Sequence, residues 1–97
     1  MANSTWKAVE REICKRLGLE RHGPTGVPAP DGTSDWLIAE VKHRKRLPRL
    51  IVDGMAQVEQ HATGQQTAVL VLHEKGQEYD DCLVVLRLRE WQELHGD

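Results

Sequence analysis

Glu40, Val41 and Lys42 close the apolar run Trp36-Leu37-Ile38-Ala39. The most basic stretch of the chain, His43-Arg44-Lys45-Arg46-Leu47-Pro48-Arg49, follows at once. Side chains of a strand alternate between faces, so Glu40 and Lys42 point one way and Ala39 and Val41 the other. A carboxylate beside an ammonium, on a strand whose other face is apolar, suits phosphodiester chemistry. The carboxylate can hold a divalent cation, and the lysine can steer a water or stabilise charge on a phosphate. The tripeptide is short, so the surrounding residues carry the weight.

Further acids stand within reach of this pair. Glu10 lies beside an apolar helical face, four residues after Trp6 and three before Ile13. It is placed either to reach the sheet which that face covers or to sit at an exposed boundary. Asp35 immediately precedes the apolar run, and Asp31 lies four residues earlier in the turn signal Pro30-Asp31-Gly32. Asp35 is five residues from Glu40, and an odd spacing in a regular strand puts two side chains on opposite faces. A bend or bulge at Ser34-Asp35 would bring the carboxylate round. Asp31, nine residues before Glu40, would instead face it across a hairpin. Spacing leaves both aspartates as candidates.

The elements that must position these groups follow from periodicity. Ser4 or Thr5 caps a helix with Trp6, Val9, Ile13 and Leu17 on one face and Gly18 as its stop. Leu19 to His22 forms a short strand, and residues 23–34, dense in Gly and Pro, form an irregular loop. After the strand bearing Glu40, Pro48 starts a second helix whose buried face is Leu47, Ile51, Met55, Val58 and Ala62, with Gly64 at its end. Gly54 in its middle costs about 1 kcal/mol relative to Ala and points to a close approach there. Thr67 to His73 is apolar nearly throughout, as in a strand covered on both faces. A polar loop around Gly76, a strand from Leu83 to Leu88 and a short helix from Arg89 to Leu94 complete the chain. The strand–helix–strand piece from 36 to 73 predicts a right-handed parallel crossover, hence an α/β fold with a small mixed sheet flanked by helices.

A chain of 97 residues makes one domain with a modest core, without a single Phe. The net charge of −2 conceals segregation: residues 42–50 carry five Lys/Arg and no acid, leaving eight basic and fifteen acidic residues elsewhere. One basic stretch on an acidic body suits a phosphate-bearing partner. Cys14 and Cys82 form no CxxC pair and read as thiols of an intracellular core, and the five histidines show no zinc-ligand spacing. The start of the chain lacks a leader pattern and no run could span a bilayer, so a soluble, cytoplasmic protein with no membrane partner is expected.

The succession Val9-Glu10-Arg11-Glu12, Ser34-Asp35, Glu40-Val41-Lys42-His43-Arg44 and Gln57 resembles the metal-dependent PD-(D/E)XK nucleases. Within them it is most similar to the Holliday-junction resolvases of the archaeal type and their phage-encoded relatives. The resemblance covers most of the chain and rests on order and spacing. It implies a single restriction-endonuclease-like nuclease domain over residues 1–97. Glu10, Asp35 (or Asp31), Glu40 and the Val41 carbonyl would hold Mg²⁺, for which Mn²⁺ can substitute, with Lys42 assisting catalysis. Arg11 and Arg21 match positions that touch DNA phosphates, and Gln57 matches a helix-two Gln facing the site. His43, Arg44, Lys45, Arg46 and Arg49 extend the DNA contact. The expected activity is endonucleolytic cleavage of four-way junctions by a homodimer. A nicking or end-processing nuclease of the same fold, or a non-catalytic DNA-binding domain, are the alternatives.

Overall fold

The computed structural model describes residues 5–23 and 28–96. The capping position Ser4 and residues 24–27 of the expected loop lie outside them. The chain falls into two compact units, Met1–Lys45 and Arg46–Asp97.

The first unit opens with α1 (Thr5–Leu17). Gly18 adopts φ +70, which an L side chain resists. The Gly18 N–H donates to Lys15 O (3.2 Å) and the Leu19 N–H to Cys14 O (2.8 Å). These two bonds form a Schellman stop and satisfy carbonyls that the helix end would otherwise leave bare. The buried residues of α1 are Glu10 and Cys14, one turn apart. Trp6, expected on the covered face, is 41% exposed, while Val9, Ile13 and Leu17 are half-buried. The inward stripe is therefore rotated round the helix towards the acid.

Three two-residue strands follow: β1 (Glu20–Arg21), β2 (Gly32–Thr33) and β3 (Ile38–Ala39). They form an antiparallel sheet in that order. Glu20 pairs with Thr33 and Arg21 with Gly32, and then Gly32 with Ala39 and Thr33 with Ile38. Between β2 and β3 the chain reverses tightly. The Ser34 N–H donates to Leu37 O (2.8 Å), and Ser34 Oγ accepts from the N–H of Leu37 (3.2 Å) and of Trp36 (3.5 Å). Asp35 and Trp36 form the exposed tip. The sheet packs on α1 at Gly32, where a Cβ would lie 2.7 Å from Cys14 Sγ.

In the second unit α2 (Arg49–His61) begins at Pro48, whose carbonyl accepts from the N–H groups of Ile51 and Val52. Met55 is its buried residue. The close approach expected at Gly54 is present, since a Cβ there would lie 2.8 Å from Leu70 Cδ1. Strands β4 (Leu70–Leu72) and β5 (Leu83–Val85) pair antiparallel, with Val71 opposite Val84. A 3-10 turn at Tyr79–Asp81 lies in their connection, and α3 (Leu88–His95) closes the chain. Arg87 grips Glu59 of α2 with both forks, Nε to Oε2 at 2.8 Å and Nη2 to Oε1 at 3.0 Å.

This is a small α/β protein with a three-stranded and a two-stranded antiparallel sheet and helices against them. The single mixed sheet built on a parallel crossover is not the arrangement found: β3 and β4 stand in different sheets. Each apolar run contributes only two or three residues to a ladder. The strand at 67–73 is likewise shorter than expected, and Val71, 55% exposed, shows it covered on one face alone. No helix among the described residues is long and apolar enough to cross a membrane.

Candidate active site

The β2–β3 ladder ends with Gly32 opposite Ala39, and Asp31 and Glu40 are the next residues of its two arms. Asp31 is held by four bonds. Its N–H donates to Ala39 O (3.0 Å) and its carbonyl accepts from the His22 N–H (3.0 Å). The same carbonyl accepts from Cys14 Sγ at 3.7 Å, and Oδ2 accepts from the Val41 N–H at 2.6 Å. Three of these fix its backbone, and the fourth holds its carboxylate.

Glu10 reaches the same place from α1. Only 6% of it is exposed, and a buried carboxylate requires a compensating charge. Arg21 of β1 supplies it, with Nε donating to Glu10 Oε1 at 3.1 Å. Arg21 Nη2 also lies 3.1 Å from that oxygen. It is not aimed along a hydrogen bond, and it is buried without a hydrogen-bond partner among the described residues. The expected strand stops at Ala39, so Glu40 and Lys42 lie just beyond it, where they form an exposed ion pair of 3.0 Å.

Glu10, Asp31, Glu40 and Lys42 line one cleft of about 350 Å³, together with Trp6, Val41, His43 and Arg44. A helix and both arms of a hairpin thus deliver three carboxylates and a lysine to a single cavity. Asp35 is absent from that lining. It is exposed in the hairpin turn, five residues before Glu40 and at the opposite end of β3. Among the described residues, no three acidic, His or Cys side chains stand close enough together to hold a metal ion. Each carboxylate instead has an internal partner: Arg21 for Glu10, the Val41 N–H for Asp31, Lys42 for Glu40.

The other candidates lie elsewhere. Arg11 is exposed on α1 and Lys45 is exposed beyond the cleft. Arg44 lines the cleft and donates to His43 O at 3.1 Å. Arg46, Arg49 and Gln57 belong to the second unit and are exposed, Arg49 with Asp53 at 3.3 Å. Burial pushes the Cys14 thiol pKa up, the nearby Glu10 charge adding to the effect. Sequence reasoning missed the partnership of Arg21 with Glu10 and the place of Trp6 in the cleft. The first depends on the β1–β2 register, which no turn signal fixes. Comparison of the chain with family models, with curated proteins and with solved structures gives no match.

Proposed function

We propose that the chain is a divalent-metal-dependent endonuclease of branched DNA, cutting at four-way junctions. The observation that carries this reading is the convergence of Glu10, Asp31, Glu40 and Lys42 on one cleft, next to the basic run that starts at His43.

The donor set fits a hard cation by its chemistry. Carboxylates and a backbone carbonyl are the ligands that Mg²⁺ and Mn²⁺ take. Asp31, Glu40, Glu10 and the Val41 carbonyl would hold the ion, with Asp31 in the part first given to Asp35. Side chains must turn away from their internal partners to do so. The bound ion would lower the pKa of a water and neutralise charge on the phosphate. Lys42, beside Glu40, would orient the attacking water or hold a phosphate oxygen. Arg44 at the cleft and the cations that follow it in sequence would bind the DNA backbone without reading bases, which suits recognition of shape. Two nicks on opposed strands call for two such chains, so a homodimer belongs to the proposal. The exposed cross-strand pair of Val71 (55%) and Val84 (59%) offers apolar surface for it.

A second reading, DNA binding without cleavage, is favoured by one observation: each acid already has its own partner. One experiment separates the two. Labelled four-way junction, duplex and single-stranded DNA are incubated with the protein in Mg²⁺ and in EDTA. Mg²⁺-dependent cutting of the junction is expected, lost in Asp31→Asn, Glu40→Gln and Lys42→Ala but retained in Asp35→Asn. Binding without cutting in any divalent ion would establish the second reading, and undiminished cutting by Lys42→Ala would remove this cleft from the chemistry.

A further inference from the structure

We propose that Arg21 is an exchangeable counter-cation of the cleft, holding Glu10 until a divalent ion takes over its charge. The inference rests on the metal site proposed above and goes on to what controls its occupancy.

Glu10 is all but enclosed, at 6% exposure, and a bare carboxylate there would be costly. Arg21 is brought to it by the fold. The register sets Arg21 opposite Gly32, and residues directly opposite share a face. That face packs on α1 at Cys14, with Leu19 beside it. The guanidinium therefore rises under the helix that carries Glu10.

The pair is nonetheless a poor structural ion pair, and the molecule contains a good one for comparison. Arg87 and Glu59 engage two nitrogens with two oxygens, at 2.8 and 3.0 Å. Such a fork gives both direction and strength. Arg21 directs only Nε, to a single oxygen of Glu10. Its Nη2, 3.1 Å from that same oxygen, makes no hydrogen bond among the described residues although it is buried. Charge holds this contact more than geometry does. A divalent ion, with twice the charge and oxygen distances of about 2.1 Å, competes for the same carboxylate. Arg21 thus keeps the cleft folded without an ion and lowers its affinity for one.

The test is Mn²⁺ binding by the full chain without DNA, read from the electron paramagnetic resonance signal of free Mn²⁺ at neutral pH. Arg21→Gln, which keeps an N–H donor but no charge, should bind Mn²⁺ about tenfold more tightly than the unaltered protein. Arg21→Lys, which keeps the charge, should stay within about threefold of it. Melting gives a second readout. Arg21→Gln should melt below the unaltered protein in EDTA and gain more from saturating Mn²⁺. Should it lose its fold in EDTA, recovery of the helical circular dichroism signal by Mn²⁺ supports the exchange, and failure to recover overturns it. Equal or weaker Mn²⁺ affinity in Arg21→Gln would make Arg21 a purely structural partner. Unchanged affinity in Glu10→Gln would overturn the proposal while leaving Asp31 and Glu40 as ligands. Absence of Mn²⁺ binding by every form would sink the metal reading itself.

Discussion

Replacing Gly32 by Ala tests the contact on which the first unit is built. A Cβ at this position would lie 2.7 Å from Cys14 Sγ and 3.1 Å from both Cβ and Cδ1 of Leu19. None of these atoms has room to withdraw: Cys14 is 1% and Leu19 8% exposed. An extra methyl group in so tight a place costs about 1–3 kcal/mol. The less flexible unfolded chain offsets about 0.4–1 kcal/mol of that. The net expectation is a loss of about 1–2 kcal/mol. With a urea slope near 1 kcal/mol per molar for so small a chain, the midpoint falls by about 1–2 M. The assay is a urea titration followed by tryptophan fluorescence, since Trp6 and Trp36 both belong to this unit. Cys14→Ala in the Gly32→Ala background removes the obstructing sulfur, so the double variant should be about 1 kcal/mol more stable than the sum of the single changes implies. An unchanged midpoint for Gly32→Ala, or strictly additive effects, would refute the packing argument.

Other expectations follow from the electrostatics. Arg87, first by its hydrogen bond, holds the Glu59 carboxyl below its ordinary value of 4.5. The stabilisation from this pair is therefore complete above that value and lost as pH falls through the depressed one. The melting-temperature gap between the unaltered protein and Glu59→Gln should accordingly be open near neutrality and narrow as the solution is acidified below the ordinary carboxylate value. Cys14, buried and with its thiol pKa raised, should resist iodoacetamide in the native protein while the half-buried Cys82 reacts. Mass spectrometry of the labelled peptides decides this, and early loss of the free Cys14 thiol would contradict its burial. Replacing Arg44 and Arg46 by Ala should weaken binding of unrelated DNA sequences alike and flatten the dependence of log K on log salt. An unchanged slope would show that these residues do not meet phosphates.

Much of the first unit could be read along the sequence because its signals are local. Gly18 after an amphipathic run became the Schellman stop, and Glu40 and Lys42 meet as an ion pair although the strand ends at Ala39. Pro30-Asp31-Gly32 suggested a turn, and the nine-residue spacing from Asp31 to Glu40 already contained the hairpin. Asp35 was preferred because Ser34-Asp35 resembles the Ser-Asp form of the resolvase relatives. The reversal centres on Asp35-Trp36 without glycine or asparagine, held by the Ser34 hydroxyl, and so gave no conventional sign. The burial of Glu10 was hidden for a different reason. A glutamate on the edge of an apolar stripe belongs outside unless a cation meets it, and that cation comes from β1 through a register set by tertiary packing. The parallel crossover was inferred from the apolar runs at 36–39 and 67–73. Run length does not say how many residues enter a ladder, and here it was two and three.

Asp31 ends the hairpin with two unlike rungs. Its N–H bonds to Ala39 O, the residue that Gly32 already faces, and its carboxylate takes the Val41 N–H. A side chain thereby stands in for the main-chain acceptor that a longer β2 would supply. The sheet stops where the cleft begins because one aspartate belongs to both. Any ligand that draws this carboxylate away must leave the Val41 amide to water, so exchange of that single amide hydrogen would report occupation of the cleft.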